Sequence, residues 1–273
     1  VLMKLNFWFL LFFLVNISSV CSQINIKISS KEIKGGFLIY AENNEYCPVS
    51  VRFDFELKNL KSSKGNHKIF ILPERKKNIL ITVLSANKSG SYSFKYKTRY
   101  NYGNHALNSF DINYAYDLPF ANGAKFLLSQ GYNGSRTHQD ENSLDFKMPI
   151  GTKIHASRGG VVVSVIDENS INCYMKECSK YNNQILIYHT DGTFSTYLHL
   201  KKNGALVSVG DSIVKNQEIA LSGNTGFSSG PHLHFSVFKQ RLGKRITIPT
   251  KFKVDPNKEV YLQEGKVYSK NIK

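Results

Sequence analysis

Two histidines one residue apart, His232 and His234, stand in the apolar, β-forming run His232-Leu233-His234-Phe235-Ser236-Val237-Phe238. Side chains alternate with a period of two along a strand, so both imidazoles point to one face while Leu233, Phe235 and Val237 fill the other. A strand that gives a face to imidazoles has little use for them except to hold a metal or move protons. Upstream, Ser135-Arg136-Thr137-His138 and Leu144-Asp145-Phe146 add a histidine and a carboxylate. Two histidines and a carboxylate, with a fourth position left to water, are a donor set of catalytic zinc sites. A lone His-x-His pair is commonly structural. A further histidine in Thr196-Tyr197-Leu198-His199-Leu200 sets this pair apart, and the combination implies a zinc hydrolase.

The residues around these histidines are short apolar runs punctuated by Gly151-Thr152, Gly159-Gly160, Asp191-Gly192, Gly210-Asp211 and Gly223-Asn224-Thr225-Gly226. Such turn signals between short runs predict strands at 153–156, 160–166, 184–189, 193–200, 218–222 and 232–238, with no helical periodicity. The front of the chain is also β. Residues 51–58, Val-Arg-Phe-Asp-Phe-Glu-Leu-Lys, alternate apolar and charged, as a strand between a core and water does. With further runs at 24–28, 36–41, 67–72, 78–84 and 91–96, the front reads as a small immunoglobulin-like β-sandwich. Its histidines, His67 and His105, are isolated and read as structural. Asp117-Leu118-Pro119-Phe120 is expected to pack between the two domains.

Met3-Lys4 and the apolar run 5–15 are followed by small residues up to Ser22. The run is short for a bilayer span and reads as a removable secretory signal, with no stable membrane span after cleavage. Val20 is a poor fit to lipid attachment at Cys21. The expected division is a signal peptide at 1–22, the β-sandwich at 23–105, a linker at 106–123, the catalytic domain at 124–247 and a C-terminal extension at 248–273. The net charge of +16 becomes +15 without residues 1–22, where Lys4 is the one charged group. Export argues against nucleic acid as the partner. The charge suits an anionic envelope polymer as well as it suits a lysine-rich solvated surface. Cys173 and Cys178 are close enough to close a small loop leading into the strand at 184–189 and bracing the cleft rim, which leaves Cys47 a buried thiol.

The order of motifs resembles the lysostaphin-type, or LytM-like, zinc endopeptidases that cut peptidoglycan cross-bridges. The matching residues are His138, Asp145-Phe146-x-x-Pro149-x-Gly151-Thr152, Gly159-Gly160-Val161-Val162 and Ile187-x-His189-x-Asp191-Gly192-Thr193. They continue with Tyr197-x-His199-Leu200, Val209-Gly210-Asp211, Gly223-Asn224-Thr225-Gly226 and Ser229-Gly230-Pro231-His232-Leu233-His234-Phe235. The resemblance covers roughly the whole catalytic module. It implies an all-β chain in which a LytM-type antiparallel β domain follows the sandwich. One zinc ion per chain would be held by His138, Asp145 and His234, with His199 and His232 flanking the attacking water. The implied partner is a peptidoglycan peptide in the periplasm, envelope or extracellular space, with room for an envelope or cell-division partner.

The spacing departs from the commonest pattern of that family, which places the first histidine and the aspartate four apart. Here His138 and Asp145 are seven apart, and Asp140 lies closer. Asp145 is preferred because it alone precedes the Phe-x-x-Pro-x-Gly-Thr run, with residues 139–143 bulging away. Tyr197 shares the phase of His199 and is expected at the cleft. Asn182 and Asn183 suit substrate contact or a turn equally, His189 a hairpin cap, and His155 an exposed position. A non-catalytic regulator of the same fold would be marked by lost ligands, whereas all five side chains are present. A biotinyl-type carrier or an adhesive envelope protein has no use for the set.

Overall fold

The computed structural model describes residues 24–271; the expected signal at 1–22, with Cys21, lies outside them. The described chain is almost all β, with one short 3-10 turn at Lys176–Tyr181. In the front module, Ile26–Ile33, Gly36–Asn43, Ile79–Ala86 and Leu60–Ser62 form one antiparallel sheet in that order. His67–Leu72, Val49–Lys58 and Ser93–Tyr102 form a second, with Val49–Lys58 in the middle. Val51, Phe53 and Phe55 point inward to meet Ile39, Ala41, Ile81 and Leu84 of the facing sheet, while Arg52, Asp54 and Glu56 point outward. The alternation is that of a strand with one dry and one wet face.

The rest of the chain is organised by a nine-stranded sheet. Its path runs Ser212–Ile213, Gly160–Ile166, Gln184–Tyr188, Phe194–Leu198, His232–Arg241, Ser143–Lys147, Lys125–Gln130, Val267–Ser269, with Lys244–Thr247 paired to the far end of His232–Arg241. One face carries Leu144, Phe146, Ile185, Ile187, Tyr197, Leu233 and Phe235 into a core shared with Ile154, Leu200, Ile219 and Ala220. Those last four belong to a smaller sheet of Lys153–His155, Glu218–Ser222 and Leu200–Ala205, or lie at its edge.

Asp117-Leu118-Pro119-Phe120 does not pack between the modules. Leu118 and Phe120 are fully buried in the core of the large sheet, and Ala115–Asp117 pairs in parallel with Lys251–Asp255. An apolar Leu-Pro-Phe segment finds more burial under the sheet than at a seam between domains. Phe252 enters the same core, Val267–Ser269 pairs with Lys125–Gln130, and the buried Lys270 ammonium donates to the Leu118 carbonyl at 3.0 Å. The segment after residue 247 is therefore built into this body.

The two modules meet at a small apolar seam. Cys47 of the front module clusters with Val163, Leu186, Phe194 and Phe238, with Tyr102 and Tyr188 against them. The Phe194 and Phe238 rings stack at 5.3 Å. Gly210, at φ +97, lies where a Cβ would come within 2.7 Å of the Tyr46 ring, so the contact requires glycine.

Candidate metal centre

Register assembles the centre. His232–Arg241 runs antiparallel between Phe194–Leu198 and Ser143–Lys147, and His234 lies opposite Leu198 on one side and Asp145 on the other. Directly opposed residues share a face, so Asp145 joins His232 and His234 on the face away from Leu233, Phe235 and Phe146. Beyond Asp145 the pairing with Lys125–Gln130 shifts by a bulge, which leaves Gln130 opposite Asp145. Gln130 Nε2 donates to Asp145 Oδ2 at 3.2 Å and to Thr137 Oγ1 at 2.7 Å, while Gln130 Oε1 accepts from the Thr137 amide. One buried amide thus ties the carboxylate to the segment that delivers His138.

His138 comes from a loop rather than a strand. Its amide donates to the Gly134 carbonyl, and Gly134 has room only for hydrogen, since a Cβ there would lie 2.5 Å from Gln130 Cγ. His138 Nδ1 donates to the Gly131 carbonyl at 3.0 Å, which aims Nε2 at Asp145 Oδ1 and His234 Nδ1, each at 3.2 Å. His234 Nδ1 is 3.0 Å from the same Asp145 oxygen. The long spacing between His138 and Asp145 is taken up by a turn closed from the Glu141 amide to the His138 carbonyl. Asp140, in left-handed backbone at φ +59, is carried out to solvent and away from the cluster.

His199 reaches the site by a different device. Strand Phe194–Leu198 of the large sheet ends one residue before it, and Leu200–Ala205 of the small sheet begins one residue after it. His199 is the corner, at φ +63, a conformation few non-glycine residues adopt. The corner breaks the alternation, so Tyr197 and His199 part company. Tyr197 is fully buried, its ring 5.1 Å from Phe235 and its hydroxyl accepting from the Ser157 amide at 2.8 Å. It lies in the core and not in the cleft. The His199 ring instead lies 4.5 Å from that of His232 and 5.9 Å from that of His234.

His138, His199 and His232 share one arrangement. His199 Nδ1 lies 2.7 Å from the Thr225 carbonyl, and His232 Nδ1 lies 2.8 Å from the Gly230 carbonyl. A carbonyl can only accept, so Nδ1 bears the proton in each ring and Nε2 is left for the site. Burial, followed by the neighbouring imidazoles, pushes His199 down to about 3. Burial also lowers His232, against the pull of Asp145. Both are neutral at pH 7. Burial pushes Asp145 upward, but hydrogen bonds from His138 and His234 outweigh it and hold the carboxyl well below the usual range. Burial lowers His138, yet its bond to Asp145 outweighs that and raises it.

The donor set fits a small cation. Among the described residues, His138, Asp145 and His234 offer ligand atoms within 4.8 Å of one another. Donors about 2.0–2.2 Å from a tetrahedral zinc lie roughly 3.3–3.5 Å apart, close to the separations seen here.

All five residues singled out from the sequence thus converge. The others have structural places. Asn183 is fully buried and donates to the carbonyls of Asn169 and Leu200, and Asn182 Oδ1 accepts from the Phe227 amide. His189 is buried at its hairpin, with Nδ1 on the Gly159 carbonyl. His155 is not exposed: its side chain is 13% accessible and Nδ1 bonds the Asn216 carbonyl, because the loop before Gln217 folds over it. Sequence reasoning missed Gln130, whose one signal is an amide in the apolar run Phe126-Leu127-Leu128-Ser129-Gln130. Cys173 and Cys178 are bonded, and Cys47 is a buried free thiol.

Residues 139–247 match peptidase family M23, beginning one residue after His138. The chain is 29% identical over 239 residues to an uncharacterized metalloprotease of Buchnera aphidicola, spanning 83% of this chain and 59% of that protein. It is 36% identical over 121 residues to the peptidoglycan DD-endopeptidase ShyA of Vibrio cholerae, spanning 42% of this chain and 25% of that one. The solved catalytic domain of lysostaphin from Staphylococcus simulans is 28% identical, with a TM-score of 0.34, over 45% of this chain and 86% of that domain.

Proposed function

From the peptidase family M23 domain at residues 139–247, we propose that this chain is an exported zinc metalloendopeptidase that hydrolyses peptide cross-bridges of peptidoglycan. The observation that carries the reading is the convergence of His138, Asp145 and His234 beside two neutral histidines, His199 and His232. His138, Asp145 and His234 would hold the ion. Zinc supplies Lewis acidity and brings the pKa of a bound water to about 7.

His199 and His232 do the proton work. With Nδ1–H engaged by a carbonyl, a neutral imidazole has its Nε2 lone pair free to take the proton of the attacking water. Once protonated it is a cationic donor, able to steady the tetrahedral oxyanion or return the proton to the leaving amine. The front module serves placement or access in this reading, since the outward charged residues of Val49–Lys58 are solvated and its inward apolar residues fill a core of their own. We read it as an immunoglobulin-like sandwich at 23–105, behind a signal peptide at 1–22; the order Ile26–Ile33, Gly36–Asn43, Ile79–Ala86, Leu60–Ser62 opposite three strands supports this.

The test is zinc content together with mass analysis of fragments released from purified peptidoglycans of different cross-bridge chemistry. The expected result is about one zinc per chain and peptide-linked fragments split at the cross-bridge, abolished by a chelator. A zinc-loaded chain that releases nothing from any of them refutes the peptidase reading.

A further inference from the structure

The disulfide-closed segment that precedes strand Gln184–Tyr188 bears on both non-ligating histidines through one short stretch, Thr225 to Ser228. Asn172–Cys173 pairs in parallel with Gly226–Phe227. Three successive amides of that stretch end on the closed segment or on the residues flanking it. Gly226 donates to the Ile171 carbonyl at 2.8 Å, Phe227 to Asn182 Oδ1 at 3.0 Å and Ser228 to the Cys173 carbonyl at 3.3 Å. Gly226 lies so close that a Cβ would be 1.7 Å from Asn182 Oδ1.

The same stretch then reaches the imidazoles. The Thr225 carbonyl accepts the His199 Nδ1 proton, and Thr225 Oγ1 donates to the Leu200 carbonyl at 2.9 Å across the corner that His199 forms. Ser228 Oγ lies 3.2 Å from His232 Nδ1, and its one proton is shared between Asn224 Oδ1 at 2.7 Å and the Gly230 carbonyl at 2.9 Å, the acceptor of that same ring nitrogen. Two-residue strands cannot hold themselves in register, and within the 3-10 turn only Cys178 is buried. The Cys173–Cys178 bond therefore gives the segment its shape.

We propose that the Cys173–Cys178 loop is a positioning brace, acting through Thr225 and Ser228 to fix the tautomer and orientation of His199 and His232. It rests on the roles given above to those two histidines. Displacing a catalytic group by about 1 Å can cost on the order of 10²-fold. A brace that only limits wobble contributes less, about tenfold in kcat, with KM nearly constant because no substrate contact is removed.

The test uses the full zinc-loaded chain, with Cys173→Ser/Cys178→Ser, Ser228→Ala and Ser228→Thr beside wild type. Imidazole NMR reads the brace without any substrate: the His199 Nδ1 proton held on Thr225 is expected to exchange slowly in wild type. It should lose that protection in the double serine variant, and in wild type reduced with a dithiol, while zinc content stays the same. With cross-bridge peptides, Ser228→Ala should lower kcat and Ser228→Thr restore it. Retained protection in the double variant, or equal kcat across the set, overturns the proposal. If wild type cleaves no peptide, the peptidase reading falls, and the imidazole spectra still decide the brace.

Discussion

The molecule contains the same cross-strand pair twice. In the front module Asp54 lies directly opposite His67, with Asp54 Oδ1 2.8 Å from His67 Nδ1. In the large sheet Asp145 lies directly opposite His234, with Asp145 Oδ1 3.0 Å from His234 Nδ1. Residue types, register and distance nearly coincide. The surroundings do not. The His67 side chain is 68% exposed, and Asp54 has Arg52 as a second partner, whereas His234 is 14% exposed, with His138 from a loop, His199 from the corner between two sheets and His232 from its own strand gathered around it. An Asp–His pair on a strand is a surface ion pair by default and contributes little to stability. It becomes a centre where the polar face is roofed, so that His138, His199 and His232 each exchange water for a chosen carbonyl.

The sharpest way to break this comparison is to delete both aspartates in turn. Asp145→Ala is expected to abolish zinc retention and peptidase turnover, whereas Asp54→Ala should leave both at wild-type levels, as read by metal analysis and a peptide assay. Equal zinc retention in the two variants would remove the distinction.

A middle-sized effect separates folding from chemistry. Phe53→Ala, in the front core between Phe55 and Phe70, should cost about 3–5 kcal/mol of stability by denaturant unfolding. The folded fraction should still hold zinc. Loss of zinc from that fraction would mean that the two cores are not energetically separable.

The smallest effect asks whether charge burial in the body of the large sheet extends beyond the metal centre. Burial, aided by the charge of Lys215 and opposed by Asp117, lowers Lys270 to about 8. Between that value and about 10.4 the unfolded chain binds more protons than the folded one, so stability rises with pH in this window. Wild type should therefore gain on Lys270→Met between pH 8 and 10 in paired unfolding curves. A flat difference would place the ammonium in contact with water.

Much of this was legible because alternation is local. The dry face of 51–58 and the two imidazoles of the strand beginning at His232 follow from period two alone, and register then does the rest. The misreadings share a cause. Tyr197 was expected beside His199 because alternation was carried across a corner that only the meeting of two sheets creates. Asp117–Phe120 was expected at a seam because nothing local says that Lys251–Asp255 will pair beside it. The carbonyls of Gly131, Thr225 and Gly230, which set three tautomers, belong to backbone and have no sequence signature.

The apolar seam has a consequence for approach. Phe194 and Phe238 lie on the same face of the sheet as His234, and Phe238 is four residues farther along its strand. At about 3.3 Å per residue, the body carrying Cys47 and Tyr102 therefore stands only about 13 Å from the imidazole row. A long, stiff chain cannot lie along the strand direction toward that end; it must cross the strands or come in from the His232 side. The orientation of any bulky ligand at the metal centre is thus limited by the front module, a part of the polypeptide that supplies none of the centre's side chains.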